Sequence, residues 1–297
     1  MLVNAANLRN AFLGFKTVYD SSFNETPAQY DKIAMTVPSS TAKEEYGWLG
    51  QFPQLRQWIG DRHIKNLGAH GFAIKNEAFE STISIAEDNL ADDRIGIFKP
   101  MFQEMGRAAK VHPDTLVFGL LKAGFETQCF DGQFYFDTDH PLYDAEGQIS
   151  GSVSNMQAGA KAAWYLVDLS RAIKPVIWQE RLRYRFRALD RETDENVFMR
   201  KELIYGVDAR VNVGFGLWQL AFASKADLTP ENFVLAKNAM SALRGDQGSL
   251  LGIRPTHLVV PPVLEAAARE LLKPNLAGGE SNIWQGAVEV ITSHYVG

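Results

Sequence analysis

The stretch CFDGQFYFDTDHP, Cys129 to Pro141, gathers the chain's only cysteine, three aspartates and a histidine. Each of those side chains can ligate a metal or move a proton. Asp137, Asp139 and His140 stand closest together, and paired aspartates bind Mg²⁺ through their oxygens. They are the candidate residues for a metal-dependent hydrolase. The simpler reading is turn chemistry. Asp131-Gly132 is a turn signal. Phe134 and Phe136 alternate with Gln133 and Tyr135, as in a short strand. Asp139 and His140 ahead of Pro141 can satisfy backbone groups where that strand ends. A lone D-x-D lacks the second carboxylate pair that would make a site of it.

Other matches to catalytic patterns are weaker. Gly214-Phe215-Gly216 has Gln219 where a dinucleotide fingerprint needs its third glycine. Ser40 and Lys43 form S-x-x-K in a proline-rich stretch, whereas that motif needs a helix start in a cleft. His63, His70, His112, His257 and His294 are scattered and read as surface or capping residues. The residues thus predict no catalytic group, no metal site and no cofactor. Arg181, Arg183, Arg185 and Arg187 alternate through RLRYRFR. On a strand they share one face, with Leu182, Tyr184 and Phe186 on the other. Such a stripe is either solvated and paired with the adjacent acidic DRETDE, or it meets an acidic subunit surface or nucleic-acid phosphate.

The elements that would position these residues belong to a soluble-type chain. Its 297 residues allow two domain-sized units at most, at roughly 150 residues each. Hydrophobic residues make up 46% and charged residues 22%, ordinary for a globular protein. One cysteine excludes an intrachain disulfide framework. A net charge of −5 excludes a nucleic-acid-binding polycation. No apolar run approaches the eighteen or so residues of a membrane span, and the N-terminus lacks a signal pattern.

Leu8, Phe12, Phe15 and Tyr19 predict a short amphipathic helix. Residues 20 to 70 have little periodicity, many breakers and many aromatics, which predicts an extended arm lying on another surface. FAIKNEAFESTISIA alternates as a strand. Ile95, Phe98, Phe102, Met105 and Ala109 predict a helix that Pro100 kinks or starts, and a second helix begins at Pro113 and stops at Gly124. SGSVSNMQAGAKAA reads as a flexible connection. Strands follow through residues 164–189 and 197–224, with DRETDEN as a charged turn. Thr229 and Pro230 start a helix with Phe233, Ala236, Met240 and Leu243 inward. THLVV is a buried strand, PPVLEAAARELL a helix and AVEVITSHYV a final strand. The fold class is α+β, and exposed arms and strand edges fit a chain covered by other copies of itself.

Ordered blocks along nearly the whole chain carry a resemblance: YGWLG, IKNEAFESTISI, DDRIGIFKPMFQEMGRAA, CFDGQFYFDTDHP, YLVDLSRAIKPVIWQER, YGVDARVNVGFGLWQLAFASK and LGIRPTHLVVPPVLEAAARELL. The chain resembles the major head (capsid) proteins of Mu-like bacteriophages. That resemblance implies the Hong Kong 97 type capsid fold. Residues 1–45 would be an N-terminal arm, and 46–92 would contain the protruding E-loop. Residues 93–224 would be a P-domain-like region with a spine helix, and 225–297 an A-domain-like region with the final strand. It implies a non-enzymatic subunit that self-assembles into pentamers, hexamers and an icosahedral shell around double-stranded DNA. Other copies, a scaffold protein during assembly, packaged DNA held non-specifically and decoration proteins would be its partners. Its place would be the virion head, assembled in the bacterial cytoplasm, with no membrane. Tyr46, Trp48, Phe52 and Trp58 are candidate subunit contacts, and the arginine stripe a candidate inter-subunit or DNA-facing surface. The alternatives are the Asp137/Asp139/His140 hydrolase and another phage ring protein.

Overall fold

Asn4 opens the first helix, because its side-chain oxygen accepts from the Asn7 amide and so satisfies one of the free N–H groups at a helix start. Helix α1 (Ala5–Glu25) then turns Leu8, Ala11, Phe15 and Tyr19 inward, at helical steps of three and four. The structure, a computed structural model, describes residues 4–49, 72–92, 95–143, 148–245, 249–273 and 281–297. Within them follow α2 (Tyr30–Ile33), β1 (Ala34–Pro38), β2 (Lys43–Glu45), β3 (Ala73–Lys75), β4 (Glu77–Ala86), α3 (Glu87–Ala91) and α4 (Ile95–Lys122). Then come β5 (His140–Tyr143), β6 (Ile149–Val153), β7 (Met156–Gln157), β8 (Trp164–Val167), β9 (Val176–Leu189), α5 (Glu195–Arg200) and β10 (Glu202–Phe215). The chain closes with β11 (Ala221–Ser224), α6 (Pro230–Ser241), β12 (His257–Val260), α7 (Pro262–Leu272) and β13 (Glu289–Thr292).

Two sheets organise these elements. The first runs β1-β9-β10-β4, with β1 parallel to β9 and β10 antiparallel to both its neighbours. The second runs β13-β12-β8-β11-β7, with β8 antiparallel to β11 and β12. Strand pairing therefore divides residues 160–224, which sequence order had grouped in one region. Strands β8 and β11 join the sheet of β12 and β13, while β9 and β10 form the long hairpin of the other. One apolar cluster links the two sheets through Trp164, Tyr165, Trp178, Phe215 and Phe222. Helix α6 starts as expected, with the Thr229 hydroxyl accepting from the Asn232 amide and Pro230 in its first turn.

Helices α1 and α4 cover one face of the far half of the hairpin. Phe15 stacks on Phe102 at 4.2 Å, and both meet the Tyr205 ring edge-on. Ile85, Leu90, Val197 and Leu203 close this second core. The helices meet closely at Gly106, where a Cβ would lie 2.5 Å from the Tyr19 carbonyl oxygen. Close helix contact thus requires glycine there.

Several expectations change. Residues 197–200, read as the start of a strand, close helix α5 instead. The predicted helix start at Pro113 is instead the interior of a single 28-residue helix holding both Pro100 and Pro113. A buried proline removes one helical hydrogen bond and crowds the preceding turn, but contacts on either side hold the helix together. The His112 ring packs edge-on against Phe79 and Tyr184. The neighbouring Asp114 carboxylate accepts from the Gln29 and Tyr30 amides at the start of α2. The supposed flexible connection carries β6 and β7, because Asn155 is buried and bonds Asp137, Tyr135 and Trp218.

Gly119, on the same helix as Gly106, has open space where its Cβ would be. Gly119→Ala should therefore stabilise the unassembled subunit by about 0.5–1 kcal/mol. Gly106→Ala should destabilise it by about 1–3 kcal/mol, since α1 must back away. Urea unfolding of both variants checks the pair; equal effects would contradict the packing.

Candidate functional site

Residues 129–139 form a tight turn, not a strand, and β5 begins only at His140. An isolated bridge joins Phe134 to Gln128 across the turn. Gly132 takes φ +87°, and the Cys129 amide donates to the Gln133 carbonyl at 2.8 Å. Asp137 is spent on the turn, accepting from the Phe134 and Thr138 amides. Asp139 is exposed, and its backbone carbonyl accepts from the Gln133 amide group. The expected trio of Asp137, Asp139 and His140 does not converge. His140 instead faces Asp131, with Nδ1 2.7 Å from Oδ2. The other Asp131 oxygen accepts from Cys129 Sγ and the Gln133 amide, each at 3.1 Å. Among the described residues, Cys129, Asp131 and His140 form the grouping whose ligand atoms lie within 4.8 Å of one another.

Burial sets the charges in this cluster. It raises the Cys129 thiol well above its ordinary range, with the Asp131 charge adding to the effect. Burial pulls the Asp131 carboxyl upward too, but the hydrogen bond and charge of His140, with the bonds from Cys129 and Gln133, outweigh it and leave the net shift downward. Tyr135 and Phe136 fill the space beneath, where Gly124 leaves room for the Phe136 ring.

The arginine strand is not one continuous stripe. Asp208 pairs with Arg185, Arg210 with Leu182 and Val211 with Glu180. Strand β9 therefore advances three residues while β10 advances two, then two while β10 advances one. Each shift inserts an extra residue on β9 and breaks the alternation, and Arg181 is the extra residue at the second. Arg185 and Arg187 converge on Asp208, at 2.7 and 2.9 Å. Arg183 pairs with Glu180 at 2.7 Å. These partners replace the acidic DRETDE turn expected from sequence. Arg187 and Asp208, with Glu80, Thr82, Leu189 and Ile204, line a shallow groove of about 340 Å³ on this sheet.

A buried polar network fixes the root of the β2–β3 hairpin to β9. The Tyr46 hydroxyl donates to Gln179 Oε1 at 2.7 Å. Gln179 Nε2 donates to the Ile74 carbonyl and to Asn76 Oδ1. Asn76 Nδ2 in turn reaches Ser39 Oγ and the Thr41 carbonyl. Gln179 and Asn76 were missed as important residues; a single polar residue inside the apolar run VIWQ was the available signal. Also missed was the hairpin's far tip. There Asn196 ties the backbone of Leu189 to that of Glu202, and α5 leaves Phe198 81% and Met199 69% exposed.

Similarity to known proteins gives these surfaces a context. The profile of the family described as Mu-like prophage major head subunit gpT matches residues 8–296. The chain belongs to the Mu-like major head subunit family. The major capsid protein of Escherichia phage Mu is 41% identical over 305 aligned positions, spanning 100% of both chains. The Mu-like prophage FluMu major head subunit of Haemophilus influenzae is 45% identical, over 89% of this chain and 88% of its own. A solved procapsid of bacteriophage JBD30 matches with TM-score 0.87 and 44% identity, over 99% of this chain and 100% of that one. The JBD30 capsid matches with TM-score 0.78 and 33% identity over 92% of each. The fold is thus the Hong Kong 97 type of phage capsid subunits, and the chain's role as a major head subunit is structural. The hydrolase reading has no support.

In this head subunit the expected contact aromatics divide. Tyr46 is committed to its own chain, buried with its hydroxyl satisfied, so it offers no free surface. Trp48 is half-buried beside it, its ring edge-on to Tyr46 at 5.9 Å. Phe52 and Trp58 lie outside the described residues.

The turn leading into β2 has a pH signature. The Thr41 and Ser40 amides, with the Ser39 and Thr41 hydroxyls, hold the Glu44 carboxyl down to about 2 from an ordinary 4.5. A depressed carboxyl contributes its stability above the ordinary value and loses it as pH falls through the folded value. The Ser40 and Thr41 amide shifts in the unassembled subunit should therefore titrate near pH 2 by NMR. A midpoint near 4.5 would contradict the turn.

Proposed function

We propose that this subunit self-assembles through pentamers and hexamers into an icosahedral head that encloses double-stranded DNA. The observation that carries the reading is the end-to-end match to a procapsid subunit, at TM-score 0.87. Rings follow from heterologous contacts that close by rotation, and many modest contacts per subunit add up through avidity. Among the described residues no helix is long and apolar enough to cross a membrane. Assembly in the host cytoplasm, with a scaffold protein, is part of the same reading. Decoration is included because a relative, the JBD30 capsid, is described as decorated with minor capsid protein trimers.

The regions take assembly roles in this reading. Residues 1–45 are the arm, 46–92 include the E-loop, and α4 is the spine. The A-domain-like region comprises 225–297, to which β8 and β11 are added because they share a sheet with β12. Trp48, Phe52 and Trp58 contact neighbouring subunits, as do Phe198 and Met199 at the hairpin tip. Aromatic and methionine side chains are enriched at such contacts. The Arg181–Arg187 stretch faces an acidic surface of a neighbour or the packaged DNA, with Arg183 and Arg187 the more exposed.

Electron microscopy of the subunit purified after co-expression with its assembly partners tests the function; closed shells are expected, and soluble rings alone would favour a connector-like protein. Phe198→Ser and Trp48→Ala should leave a folded subunit by circular dichroism but reduce shell yield at least about tenfold, the effect of losing about 1.4 kcal/mol per assembly step. Normal shells from both variants would sink these contact assignments.

A further inference from the structure

Strand β4 ends the first sheet, and among the described residues nothing pairs with its far side. Its ten residues keep an unbroken register with β10. Every second residue of such an edge directs its amide and carbonyl outward, ready to pair with another chain. Sheet edges are commonly blunted by proline, a bulge or lysine. Strand β4 has none of these, and its middle, Ser81-Thr82-Ile83-Ser84, is uncharged.

The helix layer overhangs this edge. Helix α1 lies over β9, with Phe12 and Tyr19 on Phe186 and Phe23 on Tyr184. Helix α4 lies over β10, with Phe102 on Tyr205. It reaches β4 where His112 meets Phe79, ring centres 4.4 Å apart. Met101 stands about three turns before His112 and so shares its side of the helix; Ile97 stands one turn further back. Both point along the flank away from α1, and they are 53% and 68% exposed. A strand added beside β4 would aim alternate side chains at this flank and cover both residues. The surroundings are acidic. Glu77 and Glu80 stand on β4 itself, Glu104 follows Met101 on the flank, and Glu87 lies just past the strand's end. Arg210, opposite Ala78, and Arg107, 3.9 Å from Glu104, offset part of that charge.

We propose that the β4 edge, with the Ile97–Met101 flank above it, docks an extended segment of a partner protein in which apolar residues alternate with lysine or arginine. The backbone ladder supplies the hold, and the alternate side chains supply the selection. Apolar residues would fill the flank under α4, and basic ones on the uncovered face would meet Glu80. The partner is a different chain rather than a second copy. The described strand with alternating arginines is β9, and β1 and β10 already pair with both its edges. The contact therefore goes beyond the shell reading, in which copies meet copies.

The probe is a fluorescein-labelled peptide of about eight residues, alternating valine or isoleucine with lysine, added to the unassembled subunit. Saturable binding is expected by anisotropy, and the β4 amides between Ala78 and Ser84 should gain protection from hydrogen exchange. Met101→Lys and Glu80→Lys, both at exposed positions, should each weaken binding at least about tenfold while circular dichroism stays unchanged. The same peptide N-methylated throughout, which cannot donate to a ladder, should not bind. No saturable binding, or binding that survives both substitutions or the N-methylation, would overturn the proposal. Outward β4 amides already protected in the free subunit would overturn it too. Shell formation is scored separately by electron microscopy, and Met101→Lys subunits should still close into shells as native ones do. Loss of shells in that variant alone would assign the edge to a second copy and overturn the proposal. Native subunits that form no shells would count against the shell reading instead.

Discussion

A hairpin of two 14-residue strands spans about 45 Å, far more than two paired strands can stabilise in water by themselves. The rest of the molecule answers that constraint. The near end of β9 and β10 is buried in the core shared with the second sheet, around Trp178 and Phe215. The far end has no sheet behind it. There α1 and α4 supply the missing layer, through Phe15, Phe102, Phe186 and Tyr205 packed ring against ring. Burying such rings is worth more than their area alone, because edge-to-face pairs add roughly 0.5–1.5 kcal/mol each.

Covering only one face leaves the other free, and that asymmetry suits a shell subunit. The uncovered face carries Arg185, Arg187, Asp208 and Glu80, charges that keep an exposed sheet soluble. Exposed pairs of this kind contribute at most about 1 kcal/mol, so they are inexpensive to rearrange when a partner arrives. At the hairpin tip Phe198 and Met199 stay exposed, although Val197 beside them is buried against α1 and α4.

The hairpin between β2 and β3 is anchored differently. Its root depends on the Tyr46–Gln179–Asn76 hydrogen bonds, buried where any unpaired partner would cost about 1–3 kcal/mol. A fully paired network of this type favours one geometry at the root. The described ends of this hairpin, up to Leu49 and from Phe72, are therefore held on a fixed base.

Much of this was legible in the sequence. Helical spacing marked the buried faces of α1, α4 and α6, and Thr229-Pro230 marked a helix start, because periodicity and capping are local properties. Block-by-block similarity identified the family. The arginine stripe was visible as alternation, but the two register shifts were not, since a bulge depends on the partner strand. Pro113 looked like a helix start because local rules disfavour proline inside a helix; only contacts from α2, β4 and β9 explain why the helix continues. The same limit applies to the chemistry that opened the reading. Spacing grouped Asp137 and Asp139 with His140, two of them neighbours along the chain. The folded turn gave the Asp137 carboxylate to backbone amides, left Asp139 exposed and brought Asp131, nine residues away, onto His140. Sequence fixes which ligands are available, but the path of the backbone decides which of them meet.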